Sequence, residues 1–291
     1  MCDQDTYEDA IAYQLKNKEL SRRQFGALGL TAGLVAMLPP VANAAEVTES
    51  EVEIKTPDGT CDAHFVHPAK GASAAVLVWP DIFGLRPAFR QMGKRLAESG
   101  YAVLVVNPFY RVKHAPTAPE KPDFSNPETR AMLMGLAGGL SPTTQVTDAK
   151  AFVTWLDQQP AVDKKKKIGT TGYCMGGPIT MRTAATFPDR VGAGASFHGG
   201  GLVTDKPDSP HLLVPKMKAQ YLFAIAQNDD QKQPEAKTVL RETFAKAKLP
   251  AEIEVYPADH GWCPPDAAVY NQAAAEKAWD RMLVLFKKAL V

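Results

Sequence analysis

Six short apolar runs, most of them separated by segments with helical spacing, limit this chain to few architectures. They are "SAAVLVWP", "YAVLVVNP", "KIGTTGY", "VGAGASFH", "AQYLFAIA" and "AEIEVYP", most of them rich in β-branched or aromatic residues. Runs of this kind suit strands covered on both faces. Residues 89–99, 147–158, 175–187, 236–248 and the final 267–290 carry apolar positions three and four apart, which predicts helices. Strands alternating with helices build a largely parallel sheet with helices on both faces, an α/β fold. Upstream, "EVEIKT" and "CDAHFVH" flank Pro57-Asp58-Gly59, which predicts an antiparallel hairpin at the start of the sheet. Residues 111–141 carry several prolines and a Gly-Gly pair but no evident strand, and are expected to form a lid or cap.

The first 44 residues differ from the rest. "SRRQFGALGLTAGLVAMLPPVANAAE" sets Arg22 and Arg23 before an apolar run, then prolines, then Ala42-Asn43-Ala44. This order resembles a twin-arginine export signal cleaved after Ala44, leaving 45–291 as one domain. The apolar run, about 14 residues, is short for a bilayer span, so a retained anchor is the lesser alternative. The expected address is periplasmic or secreted, with the export machinery as a transient partner. Lysine and arginine number 33 against 32 acids, a net charge of +1, which gives no footing for a nucleic-acid partner. The cysteines are Cys2, Cys61, Cys174 and Cys263, and no C-x-x-C pair exists. Removal of the leader leaves an odd number, so at least one thiol is free or paired between chains; Cys61 and Cys263 either bridge or stay reduced in the core. His64 and His67, three apart on a strand, point to opposite faces and make a poor metal pair.

"TTGYCMGGPITM" places Cys174 where a strand turns into a helix, with Gly172 and Gly176 two residues to either side. That is the context of a nucleophile elbow, in which flanking glycines permit a tight, strained turn. A helix N-terminus at the thiol also favours its thiolate. A cysteine nucleophile needs a base, and the base an orienting acid. "YLFAIAQNDD" ends a strand with Asp229 and Asp230, and "IEVYPADHGW" puts His260 after the last strand and before the final helix. The order nucleophile, acid, histidine is that of the α/β-hydrolases. Asp229, closer to the strand end, is preferred over Asp230.

The elbow "GYCMGG", the loop "PDIFGL", the segment "NPFYR", the acid loop "AQND" and "YPADHGW" together resemble the dienelactone hydrolase (carboxymethylenebutenolidase) family of α/β-hydrolases across roughly residues 47–291. The resemblance implies a Cys174-His260-Asp229 triad and an oxyanion hole from the backbone N–H groups of Met175 and Ile82. It also implies an acidic residue, here Asp81, near the resting thiol, and an arginine for a substrate carboxylate, for which Arg111 is the candidate. The second arginine of that pattern is missing from "HGWCPPD". Trp262, Phe83 and Tyr110 are candidates to line an apolar pocket. The reading is hydrolysis of an ester or lactone through a thioester, with no metal or cofactor. A single-thiol redox protein and a non-catalytic binding protein are the alternatives.

Overall fold

The computed structural model describes residues 38–119 and 124–291. Arg22, Arg23 and the apolar run of the proposed leader lie outside the described residues up to residue 37. Leu38 packs against the core, and Ala42, Asn43 and Ala44 form an exposed turn.

One eight-stranded sheet organises the chain, in the order β1-β2-β4-β3-β5-β6-β7-β8. The strands are β1 (Val47–Thr56), β2 (Gly59–Pro68), β3 (Ala75–Trp79), β4 (Ala102–Val106), β5 (Ile168–Tyr173), β6 (Val191–Phe197), β7 (Gln220–Ala226) and β8 (Ala251–Tyr256). The hairpin β1–β2 is antiparallel and joins the sheet through an antiparallel β2–β4 pair. From β4 to β8 every pair is parallel. The hairpin strand starts four residues before "EVEIKT", because Thr48 to Ser50 pair with Phe65 to His67 at the edge of the sheet.

Strands wholly inside a sheet are apolar on both faces, and the two faces here are assigned residue by residue. Val76, Val78, Val103 and Val105 face a core shared with Phe89, Leu96, Met282 and Phe286. Those four belong to α1 (Pro87–Glu98) and to the final helix α7 (Gln272–Ala289). Ala75, Leu77, Trp79, Leu104 and Val106 face the opposite core with Phe152, Leu156 and Ile179, on α3 (Pro142–Leu156) and α4 (Gly176–Thr186). Farther along that face, Leu240 and Phe244 of α6 (Ala236–Lys246) cover Tyr221 and Phe223 of β7. Each such side chain contributes about 1.5–3 kcal/mol when fully buried, which is why this alternation, once written in the sequence, dictates the layer order.

Two helices go beyond the sequence reading. Within 111–141, α2 (Pro127–Gly138) forms, its N-terminus capped by the Asn126 side chain, which accepts from the N–H groups of Glu128 and Thr129. The stretch after β7, read as a loop, is a short helix α5 (Gln227–Lys232).

Candidate active site

In a parallel sheet every carboxyl end points the same way, so residues that follow β3, β5, β6, β7 and β8 gather along one edge. Cys174 follows β5 directly and holds φ at +53°, in the left-handed region that a side-chain-bearing residue rarely occupies. Glycine neighbours make that turn possible by close approach. A Cβ on Gly172 would lie 2.1 Å from the carbonyl oxygen of Gly176, and one on Gly176 would lie 2.3 Å from that of Trp79. The Cys174 N–H donates to the Phe197 carbonyl at 3.0 Å, and its own carbonyl accepts from Gly177 N–H at 3.0 Å. The turn is therefore pinned to β6 and to the first turn of α4, which starts two residues after Cys174.

The residues that follow β7 and β8 bring Asp229 and His260 together. His260 Nδ1 and Asp229 Oδ2 are 2.7 Å apart. The backbone N–H of His260 donates to Asn228 Oδ1 at 2.8 Å, and Gln227 Nε2 donates to Asp259 Oδ1 at 3.0 Å. Neighbouring residues of α5 thus grip the His260 loop side by side, which fixes both ring and backbone. Asp230 turns away and forms an ion pair with Lys237 Nζ at 2.7 Å.

His198 joins these two clusters. It directly follows Phe197, the residue whose carbonyl holds the Cys174 N–H, and its ring lies edge-to-face against His260 with centroids 5.1 Å apart. Tyr173, the residue before Cys174, is 6.1 Å from the same ring. His198 is wholly buried, with φ at +39°. Burial, and then the neighbouring His260, hold its imidazole well below the usual histidine range, so it stays neutral.

On the other flank of Cys174, the loop after β3 carries Asp81, Ile82 and Phe83. Ile82, Cys174 and Met175 share one apolar cluster with Phe109, Phe124, Leu133 and Leu136, the last two from α2. Asp81 is bound bidentately by Arg86, at 2.7 and 3.0 Å, and also accepts from Phe83 N–H at 2.9 Å. Arg86 bonds Asp266 as well, at 2.7 and 3.0 Å, and lies over the rings of Phe83 and Phe89. Burial lowers the guanidinium's pKa, but Asp81 and Asp266 more than offset it and hold Arg86 above its ordinary value. Burial pushes the Asp81 carboxyl up, against the pull of Arg86.

The sequence candidates for substrate contact sit elsewhere. Arg111 Nη2 is 2.6 Å from Asp58 and 2.7 Å from Asp148, so the guanidinium reserved for a substrate carboxylate is held by two internal ones beside the β1–β2 turn. Tyr110 belongs to the same group, its hydroxyl donating to Asp148 at 2.7 Å. Asp81, expected beside the thiol, is turned onto Arg86. Trp262 is wholly buried, stacked on Tyr256 at 5.0 Å and packed against His198 at 5.8 Å, so it backs the site rather than lining an open pocket. Cys61, Cys174 and Cys263 are all buried, and Cys61 and Cys263 are not bridged to each other. Sequence reasoning passed over His198, Arg86, Asp266 and Asn228. Only His198 had a visible signal, its place at the carboxyl end of a strand.

A mostly parallel eight-stranded sheet covered by helices on both faces, with a strained strand-to-helix turn at its carboxyl edge, defines an α/β-hydrolase. The sequence model of the dienelactone hydrolase family matches residues 61–290, and the chain belongs to that family of hydrolases. A carboxymethylenebutenolidase from Rhodococcus opacus is 28% identical over 246 residues, spanning 81% of this chain and 90% of that one. Among solved structures, a dienelactone hydrolase-like promiscuous phosphotriesterase from metagenomic libraries superposes with a TM-score of 0.70 at 22% identity, covering 84% of this chain and 99% of the other. A dienelactone hydrolase from Anabaena variabilis gives 0.60 at 18% identity, covering 84% and 99%. At such identities the likeness concerns the fold.

Proposed function

We propose that the protein hydrolyses an ester or lactone through a thioester on Cys174, with His260 as general base and Asp229 as its orienting acid. The observation that carries this reading is the 2.7 Å hydrogen bond between His260 Nδ1 and Asp229. It fixes the tautomer that leaves Nε2 to draw the thiol proton, on the same sheet edge as the strained cysteine turn. The thiolate attacks the carbonyl carbon, and the developing oxyanion is taken by the backbone N–H groups of Met175 and Ile82, each typically worth about 3 kcal/mol in such sites. Protonated His260 gives its proton to the leaving alkoxide; water then enters, His260 removes a proton from it, and the thioester breaks.

The surroundings of the sulfur bear on substrate class. Ile82, Phe109, Phe124, Leu133, Leu136 and Met175 are apolar, and Arg111 is engaged with Asp58 and Asp148. We therefore assign the site to esters or lactones with an uncharged, apolar acyl portion, unlike a free dienelactone carboxylate. Turnover of short p-nitrophenyl esters, compared between the wild type and the Cys174→Ala and His260→Ala variants, tests the reading. Loss of at least about 10³-fold in both is expected; equal turnover in all three rejects it. Export belongs to the same proposal: a twin-arginine leader removed after Ala44, with the protein released to the periplasm or beyond. N-terminal sequencing of exported protein should begin at Ala45, and an intact Met1 terminus would overturn this.

A further inference from the structure

The loop after β3 closes as a tight turn with one donor left over. Gly84 N–H donates to the Asp81 carbonyl at 2.9 Å, and Phe83 N–H donates to the Asp81 carboxylate at 2.9 Å. Ile82 N–H, the other amide of the turn, has no hydrogen-bond partner among the described residues. Ile82 is nevertheless buried, in one cluster with Cys174 and Met175, and buried backbone donors are rarely left unpaired. Both ends of the turn are gripped by Arg86. Its Nη1 and Nη2 bind the two Asp81 carboxylate oxygens at 2.7 and 3.0 Å, and Nη1 also donates to the Gly84 carbonyl at 3.3 Å. With the bonds from Nε and Nη2 to Asp266 at 2.7 and 3.0 Å, the guanidinium makes five hydrogen bonds, matching its five N–H donors. Arg86 also caps the start of α1, whose Phe89 and Leu96 are set in the core. Burying Arg86 and Asp81 is a poor route to stability, because apolar side chains of similar volume commonly serve as well or better. What the network does supply is position.

We infer that Arg86 is a positioning residue of the proposed reaction: by fixing both ends of the Asp81–Gly84 turn it aims the Ile82 N–H at the substrate carbonyl oxygen. As the Cys174 sulfur bonds to the carbonyl carbon, one electron pair of the C=O bond moves onto oxygen, and the N–H groups of Ile82 and Met175 donate to it. The pair returns when the bond to the leaving alkoxide breaks. Arg86 gains and loses no proton and touches no reacting atom. Through Asp266, six residues after His260, the same guanidinium ties the donor's turn to the loop of the base. A lysine, with its donors on a single nitrogen, cannot reproduce that double fork. The inference rests on the thioester reading above and adds a residue to it.

The test compares two reactions of one sulfur. Acylation by p-nitrophenyl acetate builds an oxyanion, whereas methylation by iodomethane involves no carbonyl and needs only the thiolate and its base. Arg86→Met should slow the first turnover of p-nitrophenyl acetate roughly 10²-fold, while methylation of Cys174, followed by peptide mapping, stays within about twofold of the wild type. Arg86→Lys keeps a cation between the two carboxylates and should show the same divergence at roughly tenfold; it carries the test if the Met variant does not fold. A loosening that reached the thiol and His260 would slow both reactions together. Equal falls in acylation and methylation, no fall in acylation in a folded variant, or failure of both variants to fold overturns the inference. A wild type that turns over ester with no acyl group on Cys174 sinks the thioester reading instead; a wild type that acylates no faster than either variant rejects the Arg86 role alone.

Discussion

At the scale of residues, the site depends on a few contacts that single substitutions can probe. Asp229 binds His260 and Asp230 binds Lys237, so Asp229→Asn should lower kcat/KM by roughly 10²–10⁴-fold while Asp230→Asn changes it by less than about threefold; steady-state kinetics decide, and the reverse order would move the acid. Gly172→Ala sets a methyl 2.1 Å from a backbone oxygen that cannot swing aside, which should destabilise the fold by at least about 2 kcal/mol in urea denaturation. His198 gives a pH signature. Its folded pKa lies below the unfolded value of 6.5, so the unfolded chain binds more protons and the stability held above pH 6.5 is lost as pH falls below it. That one residue contributes a slope of up to about 1.4 kcal/mol per pH unit, and the urea midpoint of His198→Phe should fall less steeply from pH 7 to 5 than that of the wild type. Identical slopes would contradict the buried neutral state. Of these residues, Cys174, Asp229 and His260 could be singled out by chain order because each follows a strand. Asn228, Arg86 and Asp266 act across 32, 5 and 180 positions of sequence, a coupling that no local pattern displays.

At the scale of elements, the inner strands were legible because burial on both faces leaves a dense apolar run, and the edge strand β1 less so because only Ile54 on it is fully buried. Helix α2 escaped notice for a related reason. In "PETRAMLMGLAG" two glycines and apolar residues on several sides blur any stripe, since Leu133 and Leu136 face the cysteine cluster while Met132 is largely exposed. Because Leu133 and Leu136 pack in one cluster with Cys174, the proposed thioester would let this helix set how large an acyl group fits. Leu133→Ala should raise the relative kcat/KM for butyrate and hexanoate p-nitrophenyl esters over acetate, and an unchanged chain-length profile would remove α2 from the pocket wall. Arg86 joins the loop bearing Ile82 to the one bearing Asp266, six residues beyond His260. Arg86→Met leaves two buried or half-buried carboxylates without their cation, so a loss of about 3–5 kcal/mol is expected from denaturation, with activity falling in parallel.

At the scale of the whole molecule, one sheet edge collects what the chain spreads over 86 positions, from Cys174 to His260, and the fold makes that collection rigid. Parallel strands supply direction, glycine supplies the tight turn after β5, and α5 ties Asp229 to the His260 loop. The expectation of an α/β-hydrolase followed from strand alternation and motif order together; neither alone separates it from other doubly wound sheets. What the sequence could not convey was the allocation of charged groups, since whether Arg111 meets a substrate or internal carboxylates is decided by Asp58 of the β1–β2 turn, 53 positions away, and Asp148 of α3, 37 positions away. The most direct test of the account is peptide mapping by mass spectrometry of protein quenched during turnover of a slow ester. The account predicts an acyl group on the peptide carrying Cys174, absent from His260→Ala under the same conditions. Turnover with no adduct at Cys174, or with one on another residue, would contradict it.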